Sequence, residues 1–178
     1  MSSNKKVYII DGYNVLRCGP CYENLCGPDW TFESFNLARE MLLNDISFFC
    51  GNEADATIVY DGYENNFSDG HTQKVGNVKI IFSKKGKDAD QTVIELARRA
   101  REANKDVTVI SSDSSVQNSS MGQGVVRMSS RDFCIECNRL RQQSRNETNI
   151  NPESKSTIES SIPKDTLKKL VIMRDMNK

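Results

Sequence analysis

Four short apolar runs, each leading to an aspartate, constrain this chain more than any other feature. Val7-Tyr-Ile-Ile10 is closed by Asp11, and Ala56-Thr-Ile-Val-Tyr60 is closed by Asp61. Val78-Lys-Ile-Ile-Phe82 leads through a lysine-rich stretch to Asp90, and Val107-Thr-Val-Ile110 leads through two serines to Asp113. Short runs rich in β-branched residues are what strands look like when a parallel sheet buries both their faces.

Helical spacing lies between the runs. From Phe32 to Cys50, Phe35, Leu37, Ala38, Met41, Leu42, Ile46 and Phe49 follow a period near 3.6, with Thr31 placed as N-cap and Gly51 past the end. A second helix is expected from near Asp88 to about Asn104. A short helical stretch after Asp113, the loop Gly122-Gln-Gly124, a fifth strand at Val125-Val-Arg-Met128 and a helix from Arg131 to about Gln143, capped by Ser130, complete the pattern. Alternating strands and helices predict an α/β fold, a mainly parallel central sheet flanked by helices.

Residues 1–143 read as one domain. Residues 144–163 turn to Asn, Ser, Glu, Thr and Pro and read as a flexible polar segment. Residues 164–178 regain helical spacing through Leu167, Leu170 and Val171, and are expected to dock back on the domain. No apolar run approaches the roughly 18 residues that cross a bilayer, and the run after Lys6 is too short for the core of an export signal. A cytoplasmic protein with no membrane partner is expected, and its six cysteines then read first as reduced thiols.

Lys and Arg number 24, as do Asp and Glu, so the formal charge is zero. The zero hides a division. Val7 to Gly70 holds eleven acids and two bases, whereas His71 to Lys178 holds twenty bases and thirteen acids. Such asymmetry hints at contact with a polyanion, although two solvated faces of unlike sign would give the same totals.

In an open parallel sheet the carboxyl ends of the strands form one edge, and ligands bind in the crevice outside it. Asp11, Asp61, Asp90 and Asp113 could therefore converge although about a hundred positions separate the first from the last. Converging carboxylates repel one another unless a cation lies between them. Mg²⁺ or Mn²⁺, hard ions that favour oxygen, suit an all-aspartate set and can assist in-line attack on a phosphodiester. The competing explanation is that Asp is common at helix starts, so Asp88, Asp90 or Asp113 could each be a cap alone.

The run Ile9-Ile-Asp11-Gly-Tyr-Asn-Val15 is more specific. Together with Val59-Tyr-Asp61, Phe82-Ser-Lys-Lys-Gly86 leading to Ala89-Asp90, Ser112-Asp113, Gln117, Gly122-Gln-Gly124 with Arg127, and Ser129-Ser-Arg131, it resembles the NYN domain of the PIN-like nuclease superfold, most closely its YacP-like branch. Ile162-Pro-Lys-Asp-Thr-Leu167 resembles that branch's closing segment. The resemblance implies the three-layer PIN-like fold and a metal-dependent endoribonuclease acting on mRNA in association with ribosomes. It carries Asp11, Asp61, Asp90 and Asp113 onto the family's catalytic and metal-binding acids, and Asn14 onto their polar partner. One position departs. Four places after Asp90, where the family tends to have an acid, this chain has Ile94, followed by Glu95.

From His71 to Lys87 there are five lysines and no acid. Lys74, Lys84, Lys85 and Lys87 are therefore expected to hold RNA phosphates beside the site, with Arg127 and Arg131 extending the track. Tyr13 and Tyr63 are candidates to stack on unpaired bases, with packing an equal alternative for Tyr13. His71, the only histidine, reads as a surface residue.

Two cysteine motifs compete with this reading. Cys18-Gly-Pro-Cys21 matches the thioredoxin motif, but no helical pattern starts at once after it, because Cys26-Gly-Pro28 breaks the chain. Cys134-Ile-Glu-Cys137 could complete a four-cysteine zinc site, although the resemblance implies apolar residues at the matching helix positions and so a core thiol at Cys134. Beside the nuclease, two alternatives follow: an RNA-binding module of the same fold without catalysis, and a thiol redox protein using Cys18 and Cys21.

Overall fold

A computed structural model describes residues 5–18, 20–26, 31–62, 72–84 and 88–150. The first strand, β1 (Lys6–Asp11), is followed directly by the short helices α1 (Gly12–Arg17) and α2 (Pro20–Cys26). The long α3 (Phe32–Cys50) leads to β2 (Ala54–Tyr60). A hairpin of β3 (Thr72–Val75) and β4 (Val78–Phe82) precedes α4 (Ala89–Glu102). Then come β5 (Val107–Ile110), α5 (Ser114–Ser119), β6 (Val125–Met128) and α6 (Ser130–Ile150). The chain divides into two units, Met1–Leu140 and Arg141–Lys178, and residues 141–150 are the described part of the second.

The six strands form one sheet in the order β3-β4-β2-β1-β5-β6. Every pairing is parallel except β3 with β4. Alternation along the central strands explains the layers. Ile10, Ile58 and Ile110 join Leu16, Leu42, Ile46 and Phe133, so α1, α3 and α6 supply one core. Their neighbours Ile9, Val59 and Val109 face the other way, onto Val93 and Ala97 of α4 and Val116 of α5. Helices on both faces of a mainly parallel sheet make the expected three-layer α/β fold.

Four details depart from the sequence reading. The polar loop before β4 contains a fully exposed strand, β3, which the antiparallel hairpin places at the sheet edge. A helix does start within the Cys18-Gly-Pro-Cys21 motif, at Pro20; proline suits a first helical turn, where its missing N–H is no loss. The cap of α6 is Ser129, whose Oγ accepts from the Asp132 N–H at 3.0 Å, not Ser130. That helix also continues to Ile150, beyond Gln143, because no glycine or proline interrupts it before Pro152. The expected helix over 164–178 lies outside the described residues.

The chain runs from β1 outward to β2 and β4, then returns past β1 to β5. That reversal opens a crevice at the carboxyl ends of β1 and β5. Asp11 ends one of those strands, and Ser111, Ser112 and Asp113 follow the other.

Candidate active site at the carboxyl ends of the strands

Asp11 is 6% exposed and caps α1. One carboxylate oxygen accepts from the Asn14 N–H at 3.2 Å, and the other accepts from the Ser111 hydroxyl at 3.1 Å. Glycine follows it at a close approach, since a Cβ on Gly12 would lie 2.3 Å from the Tyr60 ring. Asp61, just past β2, accepts from the Ser83 hydroxyl at 3.3 Å. Ser83 is in turn fixed by accepting from the Gly62 N–H at 3.0 Å. Asp90 stands in the first turn of α4, where the helix dipole favours a carboxylate. Asn14 is bound from two sides: its Oδ1 accepts from the Ser112 N–H at 2.8 Å and from the Ser130 hydroxyl at 2.7 Å.

These elements bring Asp11, Asn14, Asp61 and Asp90 onto the wall of one cavity of about 360 Å³. Asp88, Arg17, Tyr13, Cys18 and Ser112 complete most of that wall. Burial pushes the Asp11 carboxyl up to about 6 from 3.8; the Asn14 and Ser111 hydrogen bonds oppose the rise, while the charges of Asp90 and Asp113 add to it. Asp90 is also raised, first by burial, then by the charges of Asp113, Asp88 and Asp61. Carboxylates that resist ionisation, chiefly through burial and further through their neighbours' charges, are a site that a cation relieves. The donors are all oxygen, which fits Mg²⁺ or Mn²⁺ better than a soft metal. Among the described residues no three acidic, histidine or cysteine side chains close around one point, so an ion here would keep several water ligands, as Mg²⁺ usually does.

Asp113 differs from its three counterparts. It is absent from the cavity wall, and its Oδ1 accepts from the Ser115 and Val116 N–H groups, so its carboxylate caps α5. Those bonds hold it below the usual carboxylate range, the Ser115 side chain contributing most. Its charge still reaches Asp11 and Asp90. Glu95, the possible substitute for the acid missing at Ile94, forms an ion pair with Arg99 and lies outside the cavity wall.

Of the expected RNA contacts, Lys74 is exposed on β3 and Lys84 is exposed after β4, while Lys85 and Lys87 lie outside the described residues. Arg127 and Arg131 are exposed, and Arg127 donates to Asn118 Oδ1 at 3.3 Å. Tyr13 is packed rather than open, 9% exposed and edge-on to Phe35. Tyr63 and His71 lie outside the described residues. Cys134 and Cys137 are core thiols, 5% and 3% exposed. Cys18 is half-buried in the cavity wall, 3.4 Å from Ser112 Oγ, and the side chain of Cys21 lies outside the described residues.

Arg17 is the residue the sequence reading missed. It brings the one cationic side chain of the cavity wall, among the described residues, and its guanidinium lies 5.8 Å from the Tyr13 ring centroid. Its spacing three residues after Asn14, on the same short helix, was the available signal. Ser111 and Ser130, both fully buried, were also missed, because nothing in sequence marks a serine as bound to a distant carboxylate or carboxamide.

Comparison with known proteins agrees with this fold. The protein YacP of Bacillus subtilis is 25% identical over 164 residues, covering 89% of this chain and 92% of that one. The crystal structure of Rae1 (YacP) from Bacillus subtilis superposes with a TM-score of 0.67 at 24% identity, over 95% of this chain and 94% of that one. A tryptophan-to-leucine variant of the same protein gives 0.66 at 22% identity, over 87% and 89%. Residues 8–175 match the YacP-like NYN domain. The chain belongs to the YacP-like NYN domain family.

Proposed function

We propose that this chain is a divalent-metal-dependent endoribonuclease whose substrate is RNA. The observation that carries the reading is the convergence of Asp11, Asp61 and Asp90 on one cavity, with Asp11 and Asp90 resisting ionisation beside each other. In this reading those three residues hold Mg²⁺ or Mn²⁺, in part through the ion's own water ligands. The bound ion would polarise water and neutralise charge on the phosphodiester. Ser111 and Ser83 orient Asp11 and Asp61 through their hydroxyls. Arg17 holds a phosphate oxygen from the cavity wall. Asn14 contributes as a donor, because its Oδ1 is committed to Ser112 and Ser130 and only its N–H groups are left to face substrate. Asp113 acts at one remove, through its charge and the capping of α5. Lys74, Lys84, Lys85, Lys87, Arg127 and Arg131 carry the flanking phosphates.

The choice of mRNA as substrate and a ribosome-bound setting rest on family resemblance. Among the described residues no helix is long and apolar enough to cross a membrane. One observation favours the alternative of an RNA-binding module without catalysis: Asp113 is committed to a cap and Ile94 offers no carboxylate. The thiol alternative keeps only Cys18, half-buried at the cavity.

The test is incubation of the purified protein with end-labelled single-stranded and structured RNA, with Mn²⁺ and with EDTA. Internal cuts in Mn²⁺ that EDTA abolishes are expected. Binding without cuts would transfer the assignment to the module, and cuts unaffected by EDTA would overturn the metal. An insulin-reduction activity lost in Cys18→Ser would favour the thiol protein.

A further inference from the structure

A second cavity, of about 370 Å³, lies between α3 and the β2–β4 side of the sheet. Its wall includes Asn36, Arg39 and Glu40 from α3, Tyr60 from β2, Gln73 from β3 and Phe82 from β4. It backs onto the acidic cavity through one ring pair. Tyr13 lines the acidic cavity, Tyr60 lines this one, and their ring centroids are 5.1 Å apart. Tyr60 and Phe82 also directly precede Asp61 and Ser83, which are hydrogen-bonded to each other.

Two features distinguish this cavity from a packing gap. Tyr60 is 1% exposed, and its hydroxyl has no hydrogen-bond partner. Burying a hydroxyl without a partner opposes folding, and a phenylalanine would fill the same space without that cost. The second feature is Arg39. Its guanidinium carbon lies 5.7 Å from the Tyr60 ring centroid and 5.8 Å from that of Phe82. Those two rings are themselves stacked, at 27° with centroids 5.6 Å apart. Arg39 Nε donates to the Phe35 carbonyl at 3.4 Å, and Nη2 donates to Asn36 Oδ1 at 2.8 Å. The guanidinium plane is thus fixed from two sides, its Nη1 donors are uncommitted, and no carboxylate pairs with it among the described residues.

We propose that this cavity is a subsite for one unpaired nucleobase of the RNA, close to the phosphodiester held by the acidic cavity. The proposal rests on the nuclease reading for that second contact. Unpaired bases are bound by stacking on aromatic rings or guanidinium planes and by hydrogen bonds to their edges. Phe82 and Arg39 supply the planes. The Tyr60 hydroxyl, Arg39 Nη1 and the Gln73 carboxamide supply edge partners for a ring nitrogen or carbonyl. Glu40 in the same wall disfavours a bare phosphate, whereas it can accept from a base N–H. A base acceptor would give the Tyr60 hydroxyl the partner it lacks.

The test combines binding and cleavage on wild type, Tyr60→Phe and Gln73→Ala. Tyr60→Phe should melt at or above the wild-type temperature, since it removes only an unpartnered hydroxyl; a lower melting temperature would give that hydroxyl a structural role and overturn the proposal. NMR titration with nucleoside 5′-monophosphates should shift the Arg39 Nε–H and Phe82 ring signals, several-fold more weakly in both variants. Equal shifts with ribose 5-phosphate would overturn the proposal. A short RNA cleaved at one position is then remade with an abasic ribose at each site in turn. One position next to the cut should show a KM about tenfold higher in wild type and a smaller rise in Tyr60→Phe, which keeps the stacking planes but lacks the hydroxyl. A uniform effect at all positions, or none, would count against the subsite. Should the wild type cut no RNA, the nuclease reading has failed, and the titration alone decides whether a base binds here.

Discussion

The carboxamide oxygen of Asn14 accepts a 2.7 Å hydrogen bond from the Ser130 hydroxyl, joining two residues 116 positions apart. The same oxygen accepts from the Ser112 N–H at 2.8 Å. One side chain on α1 therefore ties the loop after β5 to the start of α6. A backbone N–H can only donate, so the orientation of the carboxamide is fixed by chemistry.

Asn14→Ala removes that acceptor and leaves the fully buried Ser130 hydroxyl unpaired. The expected loss is about 1–3 kcal/mol, chiefly from the one buried donor left without a partner. Asn14→Asp keeps an acceptor oxygen at that place and should lose less than half as much. Urea denaturation of both variants checks this, and equal losses would contradict it.

The Asp11 carboxyl, pushed up to about 6 from 3.8, makes folding depend on pH. The folded protein holds this proton longer than the unfolded chain does. Raising pH through that window therefore favours the unfolded chain, and without divalent metal stability should fall by up to about 3 kcal/mol between roughly pH 4 and pH 6. Asp11→Asn should flatten the fall. Denaturation in EDTA across that range is the measurement, and the same slope in wild type and variant would contradict the account.

Much of this site was legible in sequence because strand ends are marked twice, by an apolar run and by the residue that stops it. Asp11 and Asp61 follow that rule and line the cavity. Asp113 follows it too, yet an aspartate two residues before free helix N–H groups also caps a helix, and here the cap claims the carboxylate. Sequence could not separate those outcomes, which depend on where one side chain turns. The strand β3 was hidden for another reason. All four of its residues are exposed, so no alternation marked it, and its hydrogen bonds to β4 alone define it. The buried serines were missed because their partners are distant in the chain.

Gly12 lies against Tyr60, with a Cβ there reaching 2.3 Å from the ring. The Tyr60 ring is buried and held by Tyr13 and Phe82, so it cannot move aside freely. Gly12→Ala should cost about 1–3 kcal/mol. Thermal melting decides it, and an unchanged melting temperature would show that the ring yields.

Tyr22 donates to Asp45 at 2.7 Å in the core between α2 and α3, and Asp45 is 8% exposed. Tyr22→Phe deprives a buried carboxylate of this donor. A loss of about 1–3 kcal/mol is expected by denaturation, and no loss would mean that the other contacts of Asp45 suffice.

The central claim is that Asp11, Asp61 and Asp90 hold the ion while Asp113 supports the site from its cap. Single-turnover cleavage of one RNA in Mn²⁺ by wild type, Asp11→Asn, Asp90→Asn and Asp113→Asn tests it most directly. The account predicts losses of about a hundredfold or more for Asp11→Asn and Asp90→Asn. It predicts less than about tenfold for Asp113→Asn, because asparagine caps a helix as well as aspartate does. Cleavage by Asp11→Asn and Asp90→Asn at the wild-type rate would contradict it.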